Sequence, residues 1–518
     1  MARHQNKPTP DASTVEAALD AMDADGLRAL IRDISLWFDD ELQARFANAL
    51  VDRAARTAPS WTSRAPDDVK VADIEAFAAA AMRTGYAEPS EVDTYLRDGS
   101  NAFLAKNYAA AFRIFRALLV PVANLEIDLC QHEMLDEVLG VDPESCAAQY
   151  VLSTYMTATP SKRGKAVLSA VDDVRGIGLF WEFLHELEQE AVEPLPDLDG
   201  FLVQWKALVQ ERVQPDRDSG RDTDEDRWLR EAVQRMQGPE GLAEVGRASK
   251  RADDLRAWCQ ALVEAGDWEG ALAAYDEAAE LVSDNDYARG DFLDGAALSA
   301  QQLGRKDLPA RLERAWRRAP SIVRLRRWLG SSRTKKVLLA RAGEALAAVP
   351  EHAYRQRALL HVLGADFSAA AELLASAHGF GWSHAAHPGH LLFPLFVSLL
   401  GGVELRGEPA QESDELALLS ERDEPRLPMP ETADLIRLAG IGAPKDPATR
   451  AAVLESMRTA AEKRIADVAK NKRRRRYGHA ASLALAYAQV DSSATGAKWL
   501  EGIRHAYRRY SALRRELA

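Results

Sequence analysis

Histidines are concentrated near residue 380, where a metal site or a catalytic base could form. The segment HGFGWSHAAHPGH contains His378, His384, His387 and His390. Imidazoles three residues apart can share a helix face and bind zinc, so His384, His387 and His390 are candidate ligands of a metal-dependent enzyme. The Pro-Gly pair breaks a helix before His390, and no nearby cysteine or HExxH motif completes a site. The pattern favours a turn between helices, and the metal site is kept as an alternative.

Other segments that could support catalysis or bind a cofactor are weak. CQHEML places Cys130 close to His132, but a zinc site needs four ligands at fixed spacing, and a buried thiol is commoner. The sequence contains no GxSxG motif, no Walker A loop and no dinucleotide-binding glycine motif between a strand and a helix. We therefore predict a non-enzymatic protein without a cofactor.

A basic run lies near the end of the sequence. Its cations are Lys470, Lys472, Arg473, Arg474, Arg475 and Arg476. Such a cluster attracts phosphates, and Tyr477 or His479 could stack on a base, as in a nucleic-acid-associated protein. The competing interpretation is a solvated helix end that pairs with the acidic loop at 412–424. The chain has 66 Lys and Arg against 79 Asp and Glu, a net charge of −13, which favours the second interpretation.

The composition of the 518 residues, 47% hydrophobic and 28% charged, is typical of a globular protein. Three cysteines without CxC or CxxC spacing predict a reducing compartment, and we expect a cytoplasmic location. The best apolar run, at 391–403, is interrupted by Pro394 and is shorter than the roughly 20 residues that cross a bilayer. No membrane association is therefore expected.

The elements that must position these residues are helices. Apolar residues recur three and four positions apart, and alternating Val, Ile and Thr runs are scarce. An early stripe that contains Leu27 and Phe38, followed by a second periodic segment, predicts a helical hairpin at 15–57, capped by Asp23 or Asp25.

Helical pairs repeat along the chain in a pattern that resembles tetratricopeptide repeats. The candidate units are 92–120, 252–282, 289–320 and the segment GADFSAAAELLASA. In each unit Ala or Gly lies where two helices cross closely, and a larger side chain fills the space beside it. Because such pairs bury their apolar faces by stacking, the predicted fold class is all-α, a tetratricopeptide-like helical-hairpin solenoid.

Changes in composition divide the chain. We predict a disordered tail at 1–14, an N-terminal helical-repeat domain at 15–213, an acidic linker at 214–226, a tetratricopeptide-like solenoid at 227–403, a Pro-rich acidic loop at 404–432 and a C-terminal helical cap at 433–518. Within the cap, helices are expected at 447–470, 476–490 and 496–516.

Three stretches resemble the helical region of bacterial SWIM zinc-finger-associated proteins. They are DGLRALIRDISLWFDDELQARF, SNAFLAKNYAAAFRIFRALL and the ending RRRRYGHAASLALAYAQV with WLEGIRHAYRRYSALRREL. The SWIM zinc motif, CxC followed by CxH, is absent, so the resemblance implies no zinc ligands. It implies an intracellular α-helical repeat protein that works with other proteins, such as an AAA+ ATPase or helicase encoded nearby in bacterial operons.

These patterns predict a non-enzymatic scaffold that mediates protein–protein interaction. A solenoid offers a long groove in which modest contacts add, so we expect a protein or peptide partner along the first helices of the pairs. The most regular part of the groove is expected at 252–320, and its predicted contact residues are Asp254, Arg256 and Gln260. The alternatives are the nucleic-acid tether at 470–476 and the metal-dependent enzyme at the histidines.

Overall fold

The computed structural model describes residues 17–19, 21–38, 40–57, 65–129, 135–178, 180–213, 222–283, 287–384, 386–401, 425–491 and 493–518. These residues form helices and connecting turns without any strand, and an isolated β-bridge joins Tyr86 to Asp128. The prediction of an all-α chain is confirmed. The chain divides into two compact units, Met1–Leu242 and Ala243–Ala518.

The first unit is built from helices of about two to five turns. Their bounds are α1 Ala24–Ser35, α2 Asp40–Thr57, α3 Asp68–Thr84, α4 Pro89–Leu104, α5 Tyr108–Ala123, α6 Leu135–Val138, α7 Pro143–Thr157, α8 Arg163–Asp173, α9 Phe183–Glu190 and α10 Leu198–Arg212. Helix α11, Asp224–Ser249, begins in this unit and is broken at Gly238, which has a positive φ of 63° and precedes a proline.

Aromatic rings fill the core of the first unit. Trp205 stacks on Phe183 with 4.3 Å between ring centroids, and Trp228 lies 5.7 Å from each of these rings. The indole N–H of Trp228 donates to the Phe180 carbonyl at 2.8 Å, so one buried polar group of this cluster is satisfied. The cluster joins α9, α10 and α11 into one packed layer.

The predicted N-terminal hairpin is present as α1 and α2. Asp23 caps α1 because its carboxylate accepts a hydrogen bond from the Gly26 N–H at 2.8 Å. No residue of α1 is buried, and Trp37 after it is largely exposed. The helix is therefore amphipathic without being part of the core.

The second unit continues with the helices α12 Ala252–Glu264, α13 Trp268–Leu281, α14 Ala288–Gln302, α15 Leu308–Arg318, α16 Ile322–Gly330, α17 Lys335–Ala348, α18 Tyr354–Leu363, α19 Phe367–Ser376, α20 Gly389–Leu399, α21 Thr432–Ala439, α22 Pro447–Lys470, α23 Tyr477–Val490, α24 Ala494–Ala506 and α25 Ser511–Glu516. From α12 to α19 each helix packs on the next one in the sequence. The long helix α22 then packs on α19, and α21 packs on α16, α17 and α18.

One hairpin turn recurs four times among the described residues. In each case a residue with positive φ follows the first helix, at Lys106, Gly266, Gly304 and Ala365. Its N–H bonds the carbonyl three residues earlier, and the N–H of the next residue bonds the carbonyl five residues earlier. At three of these turns the next residue caps the second helix, namely Asn107, Asp267 and Asp366.

Small residues lie where these helices approach closely, as the repeat pattern predicts. A methyl group on Gly99 would lie 2.8 Å from the Phe115 ring, and one on Gly295 would lie 2.5 Å from the Tyr275 ring. Ala271 is fully buried on α13. The missing side-chain atoms therefore set how near the helix axes can come.

Several predicted segments fall partly or wholly outside the described residues, including the tail at 1–14. The acidic segment 214–226 is described only from 222, and its last residues form the start of α11. Of the loop at 404–432, residues 425–431 are described, and Leu427 among them is buried. The helix expected at 496–516 is instead two helices, because a turn at 507–510 separates α24 from α25.

Along the described residues, no helix combines the length and apolar character needed to span a membrane.

Candidate functional site

The first helices of the hairpins α12–α13 and α14–α15, together with α16, form the surface on which partner contacts are predicted; we call it the first-helix face. On α12, Gln260 is exposed, and Arg256 forms an ion pair with Asp253 at 2.6 Å. Asp254 is only 5% exposed. Its prediction as a contact residue needs this correction, because a carboxylate turned into the helix packing cannot reach a partner.

Further along this face, a carboxylate of α14 is clamped by two arginines of α16. Asp294 accepts from Arg324 Nε at 2.9 Å and lies 3.3 Å from Arg327 Nη1. A second pair joins Arg324 to Asp291 at 3.2 Å. These pairs tie consecutive hairpins together and place alternating charge along the first-helix face.

Burial dominates the electrostatics of this clamp. It raises the pKa of Asp294 above its ordinary value, although Arg324 and Arg327 act in the opposite direction. Burial also lowers the pKa of Arg327, which is 8% exposed, against the attraction of Asp294. Each charge thus depends on its partner to offset the loss of water.

The second helices carry their own ion pairs on an exposed surface. Asp276 of α13 pairs with Arg311 at 2.7 Å and with Arg314 at 2.9 Å, both on α15. Glu269 and Arg305 form a more exposed pair at 2.6 Å. Because water screens such pairs, each contributes roughly 0–1 kcal/mol and serves mainly to orient the helices.

The histidine segment forms a partly buried aromatic cluster around Trp382. The indole lies 4.6 Å from the His387 ring, 5.4 Å from the His390 ring and 5.0 Å from the His479 ring, centroid to centroid. His387 accepts a hydrogen bond from the Gly389 N–H through Nδ1 at 3.0 Å. This turn geometry agrees with the interpretation of HPGH as a break between helices.

The alternative metal site at His384, His387 and His390 is not formed. His384 is exposed and contributes its backbone carbonyl, 3.2 Å from His390 Nε2, instead of its imidazole. Within the described ranges, no group of three His, Cys, Asp or Glu side chains is arranged to hold a metal ion. The ring that joins the other two is His479, which the sequence did not place here.

Burial is the largest influence on these imidazoles. It lowers the pKa of His387 to about 3 and the pKa values of His390 and His479 to about 4. The positive charge of Arg464 lowers all three further, and Arg355 acts on His390. The rings are therefore neutral at pH 7 and behave as core groups, which makes general-base chemistry at neutral pH unfavourable.

The basic run lies at the end of α22 and in the 3₁₀ turn Arg474–Arg476. All of its cations are exposed: Lys470, Lys472, Arg473, Arg474, Arg475 and Arg476. The acidic loop at 412–424, the predicted counterpart, lies outside the described residues. Tyr477 is buried in a cluster with Leu513 and Leu517, so it anchors α25 and is not available to stack on a base.

The described cysteines are not activated nucleophiles. Burial raises the pKa of Cys146 and of Cys259 to about 12, so both remain thiols at pH 7. The segment CQHEML lies outside the described residues apart from its final leucine.

Some of these groups have a signal in the sequence and others have none. Asp291 and Asp294, like Arg324 and Arg327, are three residues apart on consecutive predicted helices, and that spacing could have identified the clamp. His479 meets Trp382 through the packing of α20 and α23, which no local pattern predicts.

The chain matches no protein-family model, and no curated protein is significantly similar to it.

Proposed function

We propose that the protein is a tetratricopeptide-like helical-hairpin solenoid that acts as a scaffold and binds a protein or peptide along the first-helix face. The observation that supports this most is the recurring hairpin turn at Lys106, Gly266, Gly304 and Ala365. A turn that repeats with the same hydrogen bonds pairs successive helices in the same way, which is how repeat proteins build a continuous surface.

The chemistry of the first-helix face indicates a polar partner. Arg256, Asp291 and Arg324 are partly exposed and already paired within the face. A charged peptide can exchange these ion pairs at small cost because screened pairs are weak, whereas an apolar peptide would bury them without compensation. We infer that the partner segment carries both signs of charge.

The test compares two variants with the same number of charge changes. Arg256→Glu combined with Gln260→Arg alters the first-helix face, and Glu269→Arg combined with Arg305→Glu reverses an exposed pair on the second helices. Tagged full-length protein is used to capture partners from a lysate of its source cells. A partner retained by the control and lost with the first-helix variant supports the proposal, and equal capture by both variants contradicts it.

The resemblance to the helical region of SWIM-associated proteins suggests which partner to test first. An AAA+ ATPase or helicase encoded near this protein can be purified and titrated against both variants. The interaction should weaken only modestly between about 50 and 200 mM salt, because few phosphate-like contacts are involved.

A second candidate function is nucleic-acid association through residues 470–476, favoured by the exposure of all six cations. Changing Arg473–Arg476 to serine should reduce retention of a labelled single-stranded DNA 20-mer and flatten its salt dependence, since each phosphate contact contributes roughly 0.7 to the log–log slope. The matched control, with the same loss of charge, is serine at Arg305, Arg317, Arg318 and Arg437. Equal retention by both variants would exclude the tether.

A further inference from the structure

A cavity of about 680 Å³ lies in the first unit, between α4 and α7, and α2 forms part of its wall. This volume falls in the range of small-molecule sites. The wall combines apolar groups, such as Leu104 and Val141, with the hydroxyls of Ser100 and Ser145. The mixture suits a ligand with an apolar body and few polar atoms.

One buried acceptor in the cavity wall has no partner. Gln149 on α7 is 3% exposed, and its Nε2 donates to Glu190 Oε1 at 2.8 Å. That bond fixes the orientation of the amide because the carboxylate can only accept. Gln149 Oε1 then lies buried without a hydrogen-bond donor from any described residue. A buried acceptor in this state is costly unless a ligand donates to it.

The charges around the cavity are mostly negative. Asp136 and Asp142 line it, and its arginine, Arg97, is bound at 2.7 Å by Asp93. The effect is visible on two nearby groups, Glu144 and Cys146. Burial is the main cause of the raised pKa of each, and neighbouring acids, among them Asp142, raise both further. The field therefore opposes an anion and favours a cation.

We propose that this cavity binds a small organic cation, an ammonium group on an apolar body, whose N–H donates to Gln149 Oε1 while Asp136 and Asp142 supply the attractive field. This site is independent of the first-helix face, so either proposal can fail without the other. An ammonium group satisfies the buried acceptor and the charge at once, whereas a neutral hydroxyl satisfies only the first.

The test uses full-length protein and three protonated amines, 2-phenylethylamine, cyclohexylmethylamine and 4-phenylbutylamine, in calorimetric titration at pH 7.5. The comparison ligands are 2-phenylethanol, which is neutral, and 3-phenylpropanoate, which is an anion. We expect at least one amine to bind roughly tenfold more tightly than the alcohol, and the anion not to bind. No binding by any of the amines, or equal binding by all three charge types, would overturn the proposal.

Two variants localise the site. Ser145→Phe fills the cavity from a half-buried position and should abolish binding, whereas Ser90→Phe places the same ring on an exposed part of α4 and should leave it unchanged. Gln149→Met keeps the side-chain length but removes the acceptor, and it should weaken amine binding by at least about fivefold. If Ser145→Phe does not fold, as judged by circular dichroism, the Gln149→Met titration decides. Unchanged amine affinity in Gln149→Met contradicts the proposed contact.

Discussion

Gly295 of α14 lies directly against the ring of Tyr275 on α13, so close that a methyl group on the glycine would come within 2.5 Å of the ring. The absence of a side chain at this position is what allows the two helices to pack. Because α13 belongs to one hairpin and α14 to the next, this contact sets the spacing between consecutive pairs.

Gly295→Ala should therefore destabilise the protein by about 1–3 kcal/mol, because the added methyl forces the Tyr275 ring to move in a packed site. The control is Gly343→Ala on α17, where no atom lies within 4 Å of the new methyl, and which should stabilise by about 0.5–1 kcal/mol. Urea denaturation of both variants measures the difference. Similar effects from both substitutions would show that the Gly295 contact does not limit helix approach.

Overpacking at the buried crossing on α13 should have a similar effect. Ala271 is fully buried, so Ala271→Trp should lower the free energy of unfolding by about 1–3 kcal/mol or more. Ala273→Trp places the same ring on the exposed side of that helix and should change stability by less than about 0.5 kcal/mol. Thermal melts distinguish the two, and an unchanged melt for Ala271→Trp would contradict the assigned repeat register.

The clamp at Asp294 predicts an asymmetric response to charge removal. Asp294→Ala leaves Arg324 and Arg327 without their shared acceptor, one of them almost buried, and should cost about 3 kcal/mol. Glu269→Ala removes an exposed partner of Arg305 and should cost less than about 1 kcal/mol. Chemical denaturation at pH 7 checks both values; equal costs would mean that the Asp294 clamp is solvated.

Acid should destabilise the second unit through its buried imidazoles. The folded pKa values of His387, His390 and His479 lie at about 3 to 4, whereas the unfolded chain titrates near 6.5. Protons therefore bind the unfolded chain first, so the stabilising contribution is complete above pH 6.5 and is lost as the pH falls toward about 4.

Urea unfolding at pH 7.5 and at pH 5 measures this loss. The decrease between the two pH values should be smaller by about 1 kcal/mol or more in His479→Phe, which keeps a ring beside Trp382 but cannot titrate. The exposed His352 provides the control, since His352→Gln should keep the wild-type pH dependence. A wild-type pH dependence in His479→Phe would contradict the depressed pKa of His479.

Helical periodicity was enough to predict the all-α fold and the position of the first hairpin. The positions of Leu27 and Phe38 on one stripe, with Asp23 before it, locate α1 because burial and capping act within a few residues. The helix bounds at 447–470 were also predicted, since a Pro at the start of the helix and the basic residues at its end are local signals.

Contacts between distant segments could not be predicted in this way. Asp254 looks like a surface residue in the sequence, but helix packing buries it. The approach of His479 to Trp382 and the buried acceptor on Gln149 depend on which helices pack together, and that information is absent from a local period. The arginine clamp lies between these cases, because its spacing is visible but its pairing is not.

The recurring hairpin turn tolerates lysine at 106, glycine at 266 and 304, and alanine at 365. Its geometry is held by main-chain hydrogen bonds, and at three of the turns by the cap that follows, so the residue at the bend can be exchanged at the modest cost of a left-handed conformation, roughly 1 kcal/mol. Repeats built on such a turn can lose their common letters through mutational drift while keeping a common shape. Comparing main-chain bonding patterns is then a more sensitive way to detect kinship among these repeats than comparing residue identities.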